Sequence, residues 1–357
     1  MRRLRIRTTG AGLVSPSRPQ SCRVAGACPG GTVAELSLHT EPRQTARFTP
    51  HALHGGGQSW PETNCYTDLW IEVLAKLGEI PEAAFGFGIA QAYEGDQFTF
   101  CKIPSEDLRR LYGLTVQEIS IYHTLDQHIA QHVGRGRVVL LEVDAFYLPD
   151  TLTTTYRRQH VKTTIAVDYI DLATKRSEYF HNAARSVLQD EDYYGAFRLR
   201  PEFSEQPDLL SPYVEIVKRG AAPLDPAALH ATAVDLLRRH LSDRPTISPF
   251  SAWRDAFPND LARLSARPET FHDYAFHFPR AIGANFELFG SHAAWLAPDQ
   301  LLSVQKACAR IAHTTKILQF RLARSIARNY PDLCLECFDT LEAAYAEIVQ
   351  DLRWFTS

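Results

Sequence analysis

Apolar positions Leu69, Val73 and Leu77 recur at helical spacing, and Gly78 ends the run, so the pattern predicts a helix opening near Cys65. Residues 85–100 are rich in Gly and aromatics and read as strand and loop. Short helices are predicted at Ser105–Tyr112 and Leu125–Val133. Residues 138–148 then form a strongly apolar strand closed by Pro149, and residues 160–170 a second strand rich in Val, Thr and Ile. Residues 171–175 read as a turn leading into a third strand at 176–183. Beyond about residue 215 the rhythm changes to 3.6 residues over 227–241, 271–296, 300–328 and 341–355. The expected architecture is an α+β domain over 58–219, a hinge at 220–226 and a helical domain over 220–357.

The composition of the 357-residue chain fits a globular protein, with 45% hydrophobic and 22% charged residues. No stretch approaches the ~18 apolar residues of a membrane helix, and the longest candidate, 138–143, is interrupted by Glu142. Charge is uneven: residues 1–50 carry eight Arg against two Glu, leaving 30 basic and 39 acidic side chains, −9, for the rest. An acidic body argues against nucleic acid as the partner. Seven Cys without regular spacing, in a chain too large to need staples, point to a reducing cytosol. Residues 1–57 are Arg-, Ser-, Gly- and Pro-rich and lack an apolar core for a secretory signal. They read as a disordered tail or a mis-set gene start, and an organelle transit peptide shares that composition.

The most informative chemistry lies in Cys65 and His160. A cysteine at a helix N-terminus meets unpaired backbone N–H groups that favour thiolate. Asn64 is placed to cap that helix or to lend its amide to an oxyanion hole beside the Cys65 backbone N–H. His160 opens the second strand and suits the role of proton acceptor. A returning strand would bring His181 or Asn182 beside it as the orienting third member. Alternation allows only one of the two, and Asn182 is preferred because its amide oxygen adds no second base. Against this stands the commoner role of a cysteine as an inert apolar residue and of a histidine as surface decoration.

The order of helix-borne Cys65, Val143 through Pro149, strand-borne His160 and a returning strand resembles the papain-like acyltransferase domain of butirosin biosynthesis. A closer resemblance, over about residues 58–355, is to a bacterial family designated domain of unknown function 1839. It is carried by 64–70, 93–99, 143–150, 156–164 and 179–183. The resemblance implies a papain-like α+β fold and transfer of an acyl or aminoacyl group from a carrier-protein thioester to an amine or other nucleophile, with members often encoded beside amino acid:carrier-protein ligases; the residues alone leave open water as acceptor, a thioesterase or peptidase, and a non-catalytic carrier-protein-binding module. That resemblance implies no bound cofactor, the phosphopantetheine arm of the carrier protein entering as substrate. The chain departs from the butirosin type in placing His181-Asn182 where that domain has Asp.

Other residues are assigned to the pocket. Lys162, two positions beyond His160, together with Arg157 and Arg158, is a candidate for the phosphate of such an arm. Asp144 interrupts an apolar strand and so anchors a loop or faces the site. Glu94 and Asp96 could bind an ammonium group, or are ordinary turn carboxylates. Lys306, Arg310, His313, Lys316, Arg321, Arg324 and Arg328 fall near one helix face, +5 over residues 298–328, a docking stripe for an acidic carrier protein or a solvated face. Cys334-x-x-Cys337 lacks the second pair of a zinc site, and His128/His132 lacks a third ligand. Gly55-Gly56-Gly57 and Gly86-x-Gly88 are incomplete as phosphate and dinucleotide loops.

Overall fold

The computed structural model describes residues 48–55, 57–204 and 209–356, and the expectations for residues 1–47 and for Gly56 lie outside them. Six strands form one antiparallel sheet in the order β1-β6-β2-β3-β4-β5. They are β1 Leu114–Glu118, β2 Val138–Asp144, β3 Lys162–Asp171, β4 Arg176–His181, β5 Ala184–Leu188 and β6 Val214–Arg219. The helices are α1 Cys65–Lys76, α2 Ser105–Tyr112, α3 Leu125–Val133, α4 Asp190–Ala196, α5 Pro201–Ser204 and α6 Pro226–Asp243. They continue with α7 Pro249–Ala266, α8 Phe271–Ala275, α9 Ala281–Leu296, α10 Leu302–Arg328 and α11 Leu335–Thr356. The molecule is therefore α+β with a helical C-terminal part. No helix among the described residues is long and apolar enough to cross a membrane.

Side chains alternate across each strand, and the two faces of the sheet bury different cores. Leu140, Ala166, Phe180 and Val217 face α1 and the C-terminal helices. Val139, Leu141, Val143, Ile165, Val167 and Tyr179 pack with Ile129 of α3 and Tyr193 and Phe197 near α4. The first core runs without a break into Trp253, Phe286, Phe289, Phe338 and Ile348 of the helical part. Residues 47–357 accordingly make one compact unit. At the start of the expected hinge, Gly220 donates its N–H to the Gly113 carbonyl at 2.8 Å.

Two local features set the site. Helix α1 ends because Gly78, at φ +77°, takes a left-handed turn, with Gly78 N–H on Ala75 O and Glu79 N–H on Leu74 O closing the last carbonyls. Residues 85–90, the first part of the stretch expected as strand and loop, instead lie in a 3-10 segment, Pro81–Ala90, that packs against α9. A Cβ on Gly88 would sit 3.1 Å from Asn285 Oδ1 and from Phe289 Cβ, so these glycines serve close packing.

Candidate active site

Cys65 is the first residue of α1. Asn64 caps the helix, its Oδ1 accepting the Thr67 N–H at 2.9 Å while its Nδ2 donates to Cys101 O at 3.0 Å. The Thr67 hydroxyl donates to the same carbonyl at 2.6 Å. One turn further, both carboxylate oxygens of buried Asp68 accept the Thr63 N–H, at 3.1 and 2.9 Å. Burial nonetheless pushes the Asp68 carboxyl up to about 8, since its charged form loses water. The segment before Cys65 is thus tied to its own helix and to residue 101.

Cys65 is partly exposed and opens onto a cleft of about 560 Å³. The cleft wall includes Asn64, Tyr66, Lys102, Glu142, Lys162, Thr163, Thr164, His181, Asn182 and Glu215. From the helical part, the π turn Phe276–Arg280 sends in Phe276, His277 and Arg280, none of which local spacing had marked. Pro279, which cannot donate an N–H, sits in that turn. Glu215 holds three donors: it accepts Tyr66 OH at 2.6 Å, Tyr213 OH at 2.9 Å and Lys102 Nζ at 3.4 Å. The cations Lys102, Lys162 and Arg280 are each already paired with a carboxylate, Glu215, Glu142 and Glu62.

His160 lies just before β3 and is not among the residues of the cleft wall, although Val161 and Lys162 beside it are. Its side chain is 69% exposed and its ring stacks on Phe146 at 4.4 Å. The orienting partner is Asp144, the last residue of β2, whose Oδ2 accepts the Nδ1–H at 2.5 Å. This replaces the expected Asn182. The β3–β4 ladder reaches only Ala166↔Phe180, after which β4 ends at His181 and Asn182, at φ +47°, turns the chain into β5. Asn182 therefore falls about four residues, or ~13 Å, short of His160 along the sheet. Asp144 also accepts the Phe146 N–H at 3.0 Å, so it both anchors the corner after β2 and holds the imidazole.

His181 is buried in the cleft wall on the opposite sheet face, with Nδ1 donating to Asp150 at 2.5 Å and Nε2 against Thr163 Oγ1 at 2.8 Å. Arg157 does not point at a ligand site: it is bonded to Asp192 and stacks over Phe146, Tyr147 and Tyr156. Arg158 donates to Thr153 O on the exposed loop. Glu94 and Asp96 sit in the turn between Tyr93 and Phe98; Glu94 borders an adjoining recess that shares Asn64 and Phe100 with the cleft, whereas Asp96 borders another, beside Arg263.

On α10, Arg310 pairs with Glu347, Arg321 with Asp332 and Glu336, and Lys316 lies 4.0 Å over the Trp60 ring. Lys306, His313, Arg324 and Arg328 remain exposed. Buried His128 accepts the Tyr122 and His123 N–H groups, and Cys334 and Cys337 are buried at the start of α11. Among the described residues no three metal-ligating side chains cluster.

A helix-borne cysteine laid across an antiparallel sheet, with a cleft walled partly by a helical extension, defines an α+β protein with Cys65 in the wall of its cleft. Residues 49–219 match the DUF1839 N-terminal domain and residues 226–354 the DUF1839 C-terminal domain, so the chain belongs to the DUF1839 family. No curated protein matches the chain.

Proposed function

We propose that the protein is a cysteine-dependent acyltransferase of papain-like type, taking an acyl or aminoacyl group from a carrier-protein thioester. The observation that carries this reading is Cys65 on the first turn of a capped helix, half-open to a cleft large enough for a pantetheine-sized arm. Cys65 Sγ attacks the thioester carbonyl, the carrier thiol leaves with a proton, and an amine then takes the acyl group. Backbone N–H of Cys65 is the oxyanion donor; Asn64 contributes mainly by fixing the helix start, its Oδ1 being occupied by Thr67. His160 is the base of choice because Asp144 holds its Nδ1 and, among the described residues, leaves Nε2 without a partner, whereas both nitrogens of His181 are engaged.

Lys162, Lys102 and Arg280 supply the positive side of the cleft, and an arm phosphate would compete with their present carboxylate partners. Arg324 and Arg328, exposed at the end of α10, are the residues of the basic stripe best placed to meet an acidic carrier protein. Incubation with aminoacylated carrier protein should add the aminoacyl mass to the native chain and not to Cys65→Ala, and His160→Ala should slow the capture by at least about 100-fold. No mass gain in the native chain would end this reading.

A second reading is a carrier-protein-binding module with an inert cysteine, favoured by the position of His160 outside the cleft wall. Iodoacetamide separates the two. Burial pushes the Cys101 thiol up to about 12 and the Cys308 thiol higher still. Cys65 is therefore the thiol that reacts, and an active Cys65 should alkylate much faster near neutral pH in the native chain than in His160→Ala, whereas equal rates would favour the module.

A further inference from the structure

We propose that Thr163, His181 and Asp150 form a second acyl-accepting site in the same cleft, with Thr163 Oγ1 as nucleophile and an activated acyl ester or thioester as substrate. The inference is independent of Cys65. Asp150 Oδ2 accepts the His181 Nδ1–H at 2.5 Å, and Asp150 also accepts the Tyr179 hydroxyl. A carboxylate on Nδ1 fixes the tautomer, so neutral His181 presents a lone pair at Nε2 and takes the Thr163 O–H at 2.8 Å. Nucleophile to base to orienting carboxylate is thus complete, each contact within the range that such relays use.

The surroundings argue that this is more than a satisfied buried histidine. Leu141, Val143, Ile165 and Val167, their neighbours on β2 and β3 on this sheet face, are all aliphatic. A polar trio there carries a desolvation cost that an aliphatic packing would avoid. Thr163 and His181 also line the cleft, because β4 stops at His181 and leaves the start of β3 without a neighbour on that side. Thr155 lines the same cleft, and among the described residues its buried hydroxyl has no partner, an O–H that a developing oxyanion could recruit.

The step balances without any further reagent. Thr163 Oγ1 bonds to the acyl carbon while its proton passes to His181 Nε2. The bond from that carbon to the leaving oxygen or sulfur then breaks, and the leaving group departs with the proton from Nε2. The product is a Thr163 ester and a free alcohol or thiol.

The test uses p-nitrophenyl acetate on the full-length Cys65→Ala chain, with tryptic mapping of the acetyl group. Thr163 begins the tryptic peptide 163–175, after Lys162. One acetyl on Thr163 is expected, retained in Thr163→Ser and absent in Thr163→Val, with His181→Asn slowing the reaction at least about 100-fold. Acetylation of Thr163 that ignores His181→Asn, or no acetyl on Thr163 in the Cys65→Ala chain, overturns the proposal. Should Thr163→Val fail to fold, the pH profile decides: the acetylation rate must rise through one ionisation that His181→Asn removes. A flat profile also overturns it.

Discussion

Asn64 holds a helix with one end of its amide and a loop with the other, and both bonds lie in the buried wall behind Cys65. Asn64→Ala should cost about 1–2 kcal/mol, read as a lowered urea midpoint at unchanged slope, while Asn64→Asp keeps the cap but sets a second acceptor against the Cys101 carbonyl. Asp68 gives a pH signature. Its unfolded carboxyl titrates near 3.9, and burial raises it to about 8 in the fold. The fold favours the protonated form, so the stability it contributes is full below about pH 4 and is lost as pH rises through about 8. Asp68→Asn should flatten that fall; an unchanged slope across the window would refute the assignment. Cys65 and Asn64 were legible in the sequence because a helix start is a local signal. Asp144 was visible as a misfit in an apolar strand, but its partner His160 could not be told from spacing alone. The Asp150–His181 contact joins residues 31 apart that share no periodicity.

Among the elements, Ser105–Tyr112 and Leu125–Val133 follow from amphipathic spacing, and the structure shows both. Strands β1, β5 and β6 went unread. Each is only five or six residues long and gains its apolar face from neighbours in the sheet rather than from its own pattern. Helix α7 was hidden by Pro258 in its interior, and the single helix expected over 271–296 is broken by the π turn around Pro279. Pro258 is exposed and removes an intrahelical bond. Pro258→Ala should therefore stabilise the protein by roughly 1 kcal/mol, measured as a higher denaturant midpoint, and a lower one would show that the bend at Pro258 is needed for packing.

For the whole molecule, the change of rhythm expected near residue 215 falls inside β6, the last strand, which runs to Arg219; helix α6 begins at Pro226. What the rhythm does not reveal is that both parts bury the same core, because shared burial is a property of packing and leaves no periodic trace. Leu140, Ala166, Phe180 and Val217 have Trp253, Phe286 and Phe338 in their cluster. Thermal unfolding followed by calorimetry and by circular dichroism should show one coincident transition, and two separable transitions would contradict the shared core. A chain cut after residue 219 should expose that apolar sheet face and bind a hydrophobic dye.

Asp144 and Asp150 stand six positions apart on one short corner, Ala145–Tyr147 followed by Pro149–Thr151, and each steadies a different imidazole. One stretch of main chain therefore aims two rings. Inserting a single residue between these carboxylates would deflect both rings together, while lengthening the exposed loop at 152–154 should leave both aims intact. Loop length is open to change on the far side of this corner and closed within it.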